Sequence, residues 1–491
     1  MKHCKRLATV VLSIIICFVS LLSISQSRIY AAQKRENVKV CIDGREYTVR
    51  GLNHDYNNNL YLSMKDMAVA FANTSKAFET AWDTDDGTPV FIMRSIEAGS
   101  KEFEAAYDED ETDEIVKYTR KRIFVEVDGS RYSLYVIPVG NGDDKDCYVN
   151  LGEFALVMDI DIEVTDGTVY INPGNQFDFD KYDLEKSGIA YMADSCIIGD
   201  ATTGEIYYAS NADEVVAIAS TTKLMTYLLV REAMDNGEIS SADRVVFSKE
   251  ADKLSKTADG VITITQGESA DINDVIKGML IVSSNECALA LAQHTCKSEE
   301  EFVKRMNERA ATLELSDSVR FYNPHGLPAY LDDTLTVKQS NHMTAEDMFK
   351  LSSYILEKYP DITEITSIKK TTLASLGNYK AQNTNSLLYN VPGTVGLKTG
   401  TTDKASSCLV SAYEGCDAKG KTHYILSVVY GAENYQTQSY MSMVMMRYGI
   451  SRFNEAELGI VPVKTGEEAV PDNLKDLVKA VVNAARRNRR N

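Results

Sequence analysis

The sequence predicts two folded units, a small α+β unit written twice and then a larger mixed α/β unit. Three observations carry this. At 491 residues with 44% hydrophobic content, the chain exceeds one ordinary domain and has enough apolar residues for two cores. Between about 38 and 173, short alternating strands are separated by turn signals, and the set occurs twice. From 190 to about 448, apolar strands alternate with amphipathic helices, after a polar stretch at 173–187.

The repeat is visible residue by residue. Val40-Cys41-Ile42-Asp43-Gly44 and Val125-Glu126-Val127-Asp128-Gly129 each read as a strand entering an Asp-Gly hairpin turn. A second strand follows in both. Next comes a segment in which Ser63 or Asn150 is placed to cap a short helix. The copies close on Asp86-Gly87-Thr88 and Asp166-Gly167-Thr168, each leading into an apolar strand. Asp43 and Asp128 lie 85 residues apart, and Asp86 and Asp166 lie 80 apart. The acidic run at 108–114 reads as a solvated loop between copies.

The two ends have their own character. Lys2, Lys5 and Arg6 precede an apolar run from Leu7 to about Ile24, and Ala31-Ala32 supply small residues, as in an export signal. An uncleaved membrane anchor is the alternative, because the run is nearly long enough to span a bilayer. Residues 1–32 carry four basic and no acidic side chains, so cleavage takes the formal charge from −19 to −23. So acidic a body argues against a nucleic-acid partner. At the other end, residues 473–491 place Leu474, Leu477, Val478, Val481 and Ala485 on one helical face ahead of Arg486, Arg487, Arg489 and Arg490. Such a helix suits peripheral contact with an anionic membrane, or packing on the body with a solvated tail. The expected divisions are 1–32, 33–175, 188–448 and 449–491.

Metal and disulfide chemistry have little support. Cys41, Cys147, Cys196, Cys287, Cys296, Cys408 and Cys416 are scattered and odd in number beyond residue 32, without a Cys-x-x-Cys pair. The six histidines show no ligand spacing, and no cofactor is called for.

Three short motifs occur in order: Ser220-Thr221-Thr222-Lys223, Ser283-Ser284-Asn285 and Lys398-Thr399-Gly400. Each is weak alone. Ser367 with Lys370 repeats the first spacing, and Lys464-Thr465-Gly466 repeats the third. Context separates them. Ser220 follows the strand pair around Ile197 and Tyr207 and opens an apolar helix, where amide donors and the helix dipole favour developing negative charge. Lys223 rises on the same face one turn later. A serine hydroxyl needs a base to become a nucleophile, and a lysine serves only when its amine is neutral. Burial and a second cation, Lys398, would lower the Lys223 pKa. Ser283-Ser284-Asn285 sits between an apolar stretch and an Ala/Leu-rich helix, where a cap is the plain structural alternative. Gly400 sits in a strand and permits close backbone approach, as an edge pairing with an extended peptide would need.

The motif set resembles that of penicillin-binding proteins and serine β-lactamases. The resemblance is closest to the serine-type D-alanyl-D-alanine carboxypeptidases. It extends to Tyr322-Asn323-Pro324-His325-Gly326-Leu327-Pro328 and Thr344-Ala345-Glu346-Asp347-Met348. It implies a transpeptidase-like domain with a central antiparallel sheet and a helical subdomain, acting outside the cytoplasm. It also implies removal of the terminal D-alanine from peptidoglycan stem peptides and covalent capture of β-lactam antibiotics. By resemblance Ser220 is the nucleophile, Lys223 the base and Ser283 a proton relay. Asn285, Lys398, Thr399, Gly400 and Thr401 bind substrate, with amides of Ser220 and Thr401 forming the oxyanion hole. The repeated N-terminal segment resembles the copper amine oxidase N-terminal-like domain of Gram-positive surface proteins, which implies a stalk or binding module. Its one histidine, His54, does not make a metal site.

Two rival readings differ in kind. A class A β-lactamase carries Glu-x-x-Leu-Asn between the second and third motifs, and this chain has no such pentapeptide. A non-catalytic wall-binding protein needs neither Ser220 nor Lys223.

Overall fold

The computed structural model of the chain describes residues 33–54, 59–85, 88–100, 115–116, 121–127, 130–140, 145–179, 189–330 and 338–458. The chain divides into two compact units, Met1–Phe177 and Asp178–Asn491. The expected export segment, the acidic run at 108–114, the turns at 86–87 and 128–129, the Lys464 motif and the helix at 473–491 lie outside the described residues.

In the first unit, hairpins and two short helices follow in chain order: β1 (Glu36–Ile42), β2 (Arg45–His54), β3 (Asn59–Ser63), α1 (Met64–Phe71), β4 (Phe78–Asp85) and β5 (Thr88–Ser95). The same order then recurs as β6 (Lys121–Val127), β7 (Ser130–Val139), β8 (Asp146–Asn150), α2 (Leu151–Met158), β9 (Asp161–Thr165) and β10 (Thr168–Asn172). Asp43 and Gly44 both have positive φ, 48° and 78°, as do Asp166 and Gly167 at 50° and 75°. That backbone suits a two-residue hairpin turn matching the twist of the strands. Ser63 accepts the Asp66 amide and Asn150 the Glu153 amide, so both capping expectations hold.

The ten strands form one sheet in the order β9-β10-β1-β2-β3-β8-β7-β6-β5-β4. β3 and β8 meet antiparallel at its centre, with Leu62 opposite Val149. β10 pairs parallel with β1, and β5 parallel with β6. Each half therefore lends its last hairpin to the first strand of the other half. Phe71, Phe78 and Phe154, from α1, β4 and α2, pack with ring centroids 5.6 to 5.9 Å apart.

A buried polar cluster ties the halves. The Arg50 guanidinium on β2 donates to Asp66 on α1 at 2.8 Å and reaches Asp146 on β8 at 3.4 Å. Asp146 also accepts the Ser63 hydroxyl at 2.6 Å and the Lys65 amide at 3.3 Å. A carboxylate from the second half thus completes the cap of a helix in the first. Burial pushes the Asp146 carboxyl up, against the lowering by Ser63 and Arg50.

The second unit holds a five-stranded antiparallel sheet in the order β12-β11-β15-β14-β13, from β11 (Ser195–Asp200), β12 (Glu205–Ser210), β13 (Thr394–Thr402), β14 (Ser406–Cys416) and β15 (Thr422–Ala432). Between β12 and β13 lie α3 (Lys223–Asp235), α4 (Ile272–Ile281), α5 (Asn285–Cys296), α6 (Glu299–Thr312) and α7 (Ala345–Lys358), and α8 (Tyr435–Leu458) follows β15. Helix α3 packs against α4, α5, α6 and α7, while α7 and α8 pack on the sheet. Nine residues of α3 are buried, Lys223 among them, so it is a core helix rather than a surface one. The mixed α/β expectation holds, with the sheet antiparallel and the helices inserted between its second and third strands in sequence. Among the described residues no helix is long and apolar enough to cross a membrane.

Trp82, the chain's only tryptophan, sits on β4 in the first unit, under the Lys145 amine at 3.5 Å. Its fluorescence therefore reports unfolding of that unit. Arg50→Ala removes the cation that bonds two buried carboxylates, and its expected cost is about 3–5 kcal/mol. Denaturant titration followed at Trp82 checks this, and an unchanged midpoint would contradict it.

Candidate active site

The chain enters α3 through a 3-10 turn, Ala219–Thr222, that carries Ser220. Ala219 stands at φ 46°, a left-handed conformation that costs an alanine about 1–3 kcal/mol. Two backbones hold the turn there. Gly326, at φ 93°, lies so close that an added Cβ would sit 2.0 Å from the Ala219 carbonyl oxygen. Gly400 on β13 lies on the turn as well, where a Cβ would sit 2.9 Å from the Ser220 amide nitrogen. The close approach expected at Gly400 is thus used by the chain's own Ser220 turn.

Lys223 begins α3, and its side chain is fully buried. Its Nζ lies 2.8 Å from each of three oxygens: Ser220 Oγ, Asn285 Oδ1 and the His325 carbonyl. Burial, and after it the charge of Lys398, holds the amine well below the ordinary lysine value, with Glu286 opposing. Asn285 opens α5, and its Nδ2 donates to the Asp259 carbonyl at 2.8 Å. That bond settles which end of the amide faces Lys223. One N–H and one oxygen lone pair of Asn285 remain for a ligand.

The loop before α5 divides its labour. Ser284 caps the helix, accepting the Cys287 amide at 3.1 Å. The structural alternative for this motif is therefore correct for its middle residue alone. Ser283 takes φ 62°, and its hydroxyl has no protein partner among the described residues.

Lys398 lies on β13, an edge strand of the sheet. Its side chain is 1% exposed, and Nζ donates to the Thr399 carbonyl at 2.9 Å. Burial pushes its pKa down to about 7. The Thr399 hydroxyl pairs with Thr384 at 2.5 Å, and Thr401 is exposed on the same strand. Direct hydrogen bonds join Ser220, Lys223 and Asn285. Among the described residues none links Ser283, Lys398 or Thr399 to that group; Lys398 acts on Lys223 through its charge. Ser367, which repeats the first spacing with Lys370, ends a short helix, and the Lys370 side chain is exposed.

Sequence reasoning missed several members. The His325 carbonyl and Gly326 belong to a segment noticed only as a resemblance. The His325 ring accepts the Leu327 amide at Nδ1, and burial followed by Lys223 pushes its pKa down to about 3. A neutral ring makes the 3.9 Å approach of Nε2 to Glu299 a contact, not an ion pair. Asn341, fully buried, donates to Thr222 and to the Asn323 carbonyl and accepts the Tyr322 amide, lashing the two segments together. Nothing in its local sequence signals this. Glu286 could have been suspected from its place beside Asn285.

Taken together, the unit is a mixed α/β protein with a serine–lysine site at the meeting of a central helix and a sheet edge. The D-alanyl-D-alanine carboxypeptidase family, peptidase S11, matches residues 183–434, more than half of the chain. The chain belongs to that family. It is 32% identical over 269 residues to D-alanyl-D-alanine carboxypeptidase DacF of Bacillus subtilis (strain 168), covering 54% of this chain and 64% of that one. It is 29% identical over 283 residues to D-alanyl-D-alanine carboxypeptidase DacD of Escherichia coli (strain K12), covering 57% and 68%. The match thus spans about two thirds of these relatives' length. Among solved structures, ampicillin-bound penicillin-binding protein D2 of Listeria monocytogenes is similar at 29% identity and a TM-score of 0.45, covering 53% of this chain and 98% of that one.

Gly326→Ala should shift the Ser220 turn and reduce acylation of Ser220 by an active-site serine probe about 100-fold, as an ångström-scale misplacement does. Circular dichroism on the same variant separates this from loss of fold, and near-normal labelling would contradict the packing argument.

Proposed function

We propose that this chain is a serine-type D-alanyl-D-alanine carboxypeptidase that releases the terminal D-alanine of peptidoglycan pentapeptides through an acyl-enzyme on Ser220. The observation that carries the reading is the set of partners around Lys223. A neutral amine has two N–H donors and one lone pair. The His325 carbonyl can only accept, and Asn285 Oδ1 is turned toward the amine because Nδ2 is bound to Asp259. These two oxygens take both N–H groups. The lone pair is left facing the Ser220 hydroxyl, the arrangement a general base requires.

The steps follow. Ser220 Oγ attacks the carbonyl carbon of the terminal peptide bond as its proton passes to Lys223 Nζ. The oxyanion is met by the amides of Ser220 and Thr401, an interaction for which loss of one donor typically costs about 100- to 1,000-fold. Ser283, with its free hydroxyl, relays a proton to the departing D-alanine amine. Asn285 has one N–H left for the peptide backbone. Lys398, Thr399 and Gly400 line the place of the substrate carboxylate, and the edge position of β13 suits an extended peptide. Water then hydrolyses the ester and regenerates Ser220. β-Lactams, whose strained amide replaces the scissile bond, would be held as the same ester.

Such a reaction belongs outside the cytoplasm, where stem peptides are found. The Gram-positive surface setting and membrane contact through residues 473–491 rest on sequence alone. The mirrored strand order of the first unit supports its origin by duplication of one α+β half. A stalk or binding role for that unit rests on the amine-oxidase-like resemblance.

Incubation with fluorescent penicillin should give a stable covalent adduct that disappears in Ser220→Ala, and the wild type should release D-alanine from a wall pentapeptide. Absence of an adduct favours a wall-binding protein, and rapid drug turnover a β-lactamase. The pH profile has a definite sign. Lys223 must be neutral, so kcat/KM falls toward acid. Lys398 must be charged to meet a carboxylate, so with its pKa near 7 in the empty site KM should rise as pH increases through 7. A substrate amidated at its C-terminus should lack the alkaline effect, and an identical rise in its KM would sink this assignment of Lys398.

A further inference from the structure

Glu286 follows Asn285 on α5, is fully buried, and has no part in the steps above. Its Oε1 accepts two backbone amides, Val261 at 3.1 Å and Ile262 at closer range. Its Oε2 has no partner among the described residues. A buried carboxylate with half of its acceptors unused is costly. Glutamine in its place would offer the same acceptor to Val261 and Ile262 without the charge. The two amides belong to the loop whose Asp259 carbonyl receives Asn285 Nδ2. That loop is tightly turned, since a Cβ on Gly260 would sit 2.2 Å from the Ser255 carbonyl oxygen.

We propose that Glu286 is a positioning residue for the nucleophile's base: its carboxylate holds the 259–262 loop, the loop fixes the Asn285 amide, and the amide fixes the lone pair of Lys223 on Ser220. The inference rests on the serine–lysine reading of the site and adds a buried carboxyl to it. The groups that face Lys223 are Lys398 from β13, Glu286 and Cys287 from α5, and His325 from the loop between α6 and α7. Burial keeps the Cys287 thiol protonated, the His325 ring is neutral, and the Asp259 side chain is exposed. Glu286 is therefore the one carboxyl among the groups that face Lys223. It raises the Lys223 pKa where burial and Lys398 lower it.

Two readouts test this, and the first needs no activity. Hydrogen exchange on the full chain should show the 257–264 segment losing protection about tenfold or more in Glu286→Ala, with α3 unchanged; equal protection in variant and wild type overturns the loop argument. Second, the pH dependence of Ser220 acylation by penicillin should move in Glu286→Gln, its acid limb falling by about one pH unit. Glu286→Asp, which keeps the charge, should leave that limb in place while lowering the rate. A merely structural glutamate would lower the rate in Glu286→Gln evenly at every pH, and that outcome, or no change, overturns the proposal. Should Glu286→Ala fail to fold, Glu286→Gln carries the test. If the wild type forms no adduct, the functional reading fails while the exchange result still decides whether Glu286 holds the loop.

Discussion

The second unit is organised around one buried amine. Placing Lys223 fully inside the protein costs several kcal/mol if it is charged, so the fold must either neutralise it or surround it with oxygens. It does both: three oxygens lie 2.8 Å from Nζ, and burial with Lys398 nearby favours the uncharged form. Each oxygen comes from a different stretch of chain. The Ser220 turn, the start of α5 and the loop at 322–328 must all arrive before the amine is satisfied. The same requirement that stabilises the buried lysine thus assembles the site.

Backbone packing carries the second half of that assembly. Ser220 is positioned from outside by two glycines, one on the 322–328 loop and one on β13, which press on the turn where side chains would collide. Asn341 fastens the loop from below. These contacts hold Ala219 in a conformation it would not adopt alone. Strain at Ala219, next to Ser220, is therefore held by tertiary packing, and the residues that hold it carry no reactive group.

What the sequence revealed follows the same division. Hairpin turns, helix caps at Ser63 and Asn150 and the order of the three motifs are local, and each could be read from a few adjacent residues. The antiparallel sheet came from family resemblance, because apolar strands separated by helices are equally compatible with a parallel sheet. The exchange of hairpins between β5 and β6, and between β10 and β1, depends on contacts between residues far apart in sequence. Periodicity fixes which face of a strand is buried and says nothing of its neighbour. At the site, Ser220, Lys223 and Asn285 announced themselves by type and spacing. The His325 carbonyl could not, since a backbone oxygen has no identity in sequence, and Asn341 looks like any polar loop residue.

Charge completes the argument. The chain is strongly acidic overall, yet two lysines of the second unit, Lys223 and Lys398, are almost wholly buried. A carboxylate ligand would be repelled by the surface at long range and drawn only at the site. Screening limits the repulsion to about 8 Å at physiological ionic strength, whereas the buried pair is screened much less. Binding a carboxylate would also favour the charged form of Lys398, and a charged Lys398 in turn drives Lys223 toward neutrality. The carboxylate's own charge opposes that effect, because a nearby negative charge raises an amine's pKa, so the protonation of the two lysines is linked and a bound anion would act on both.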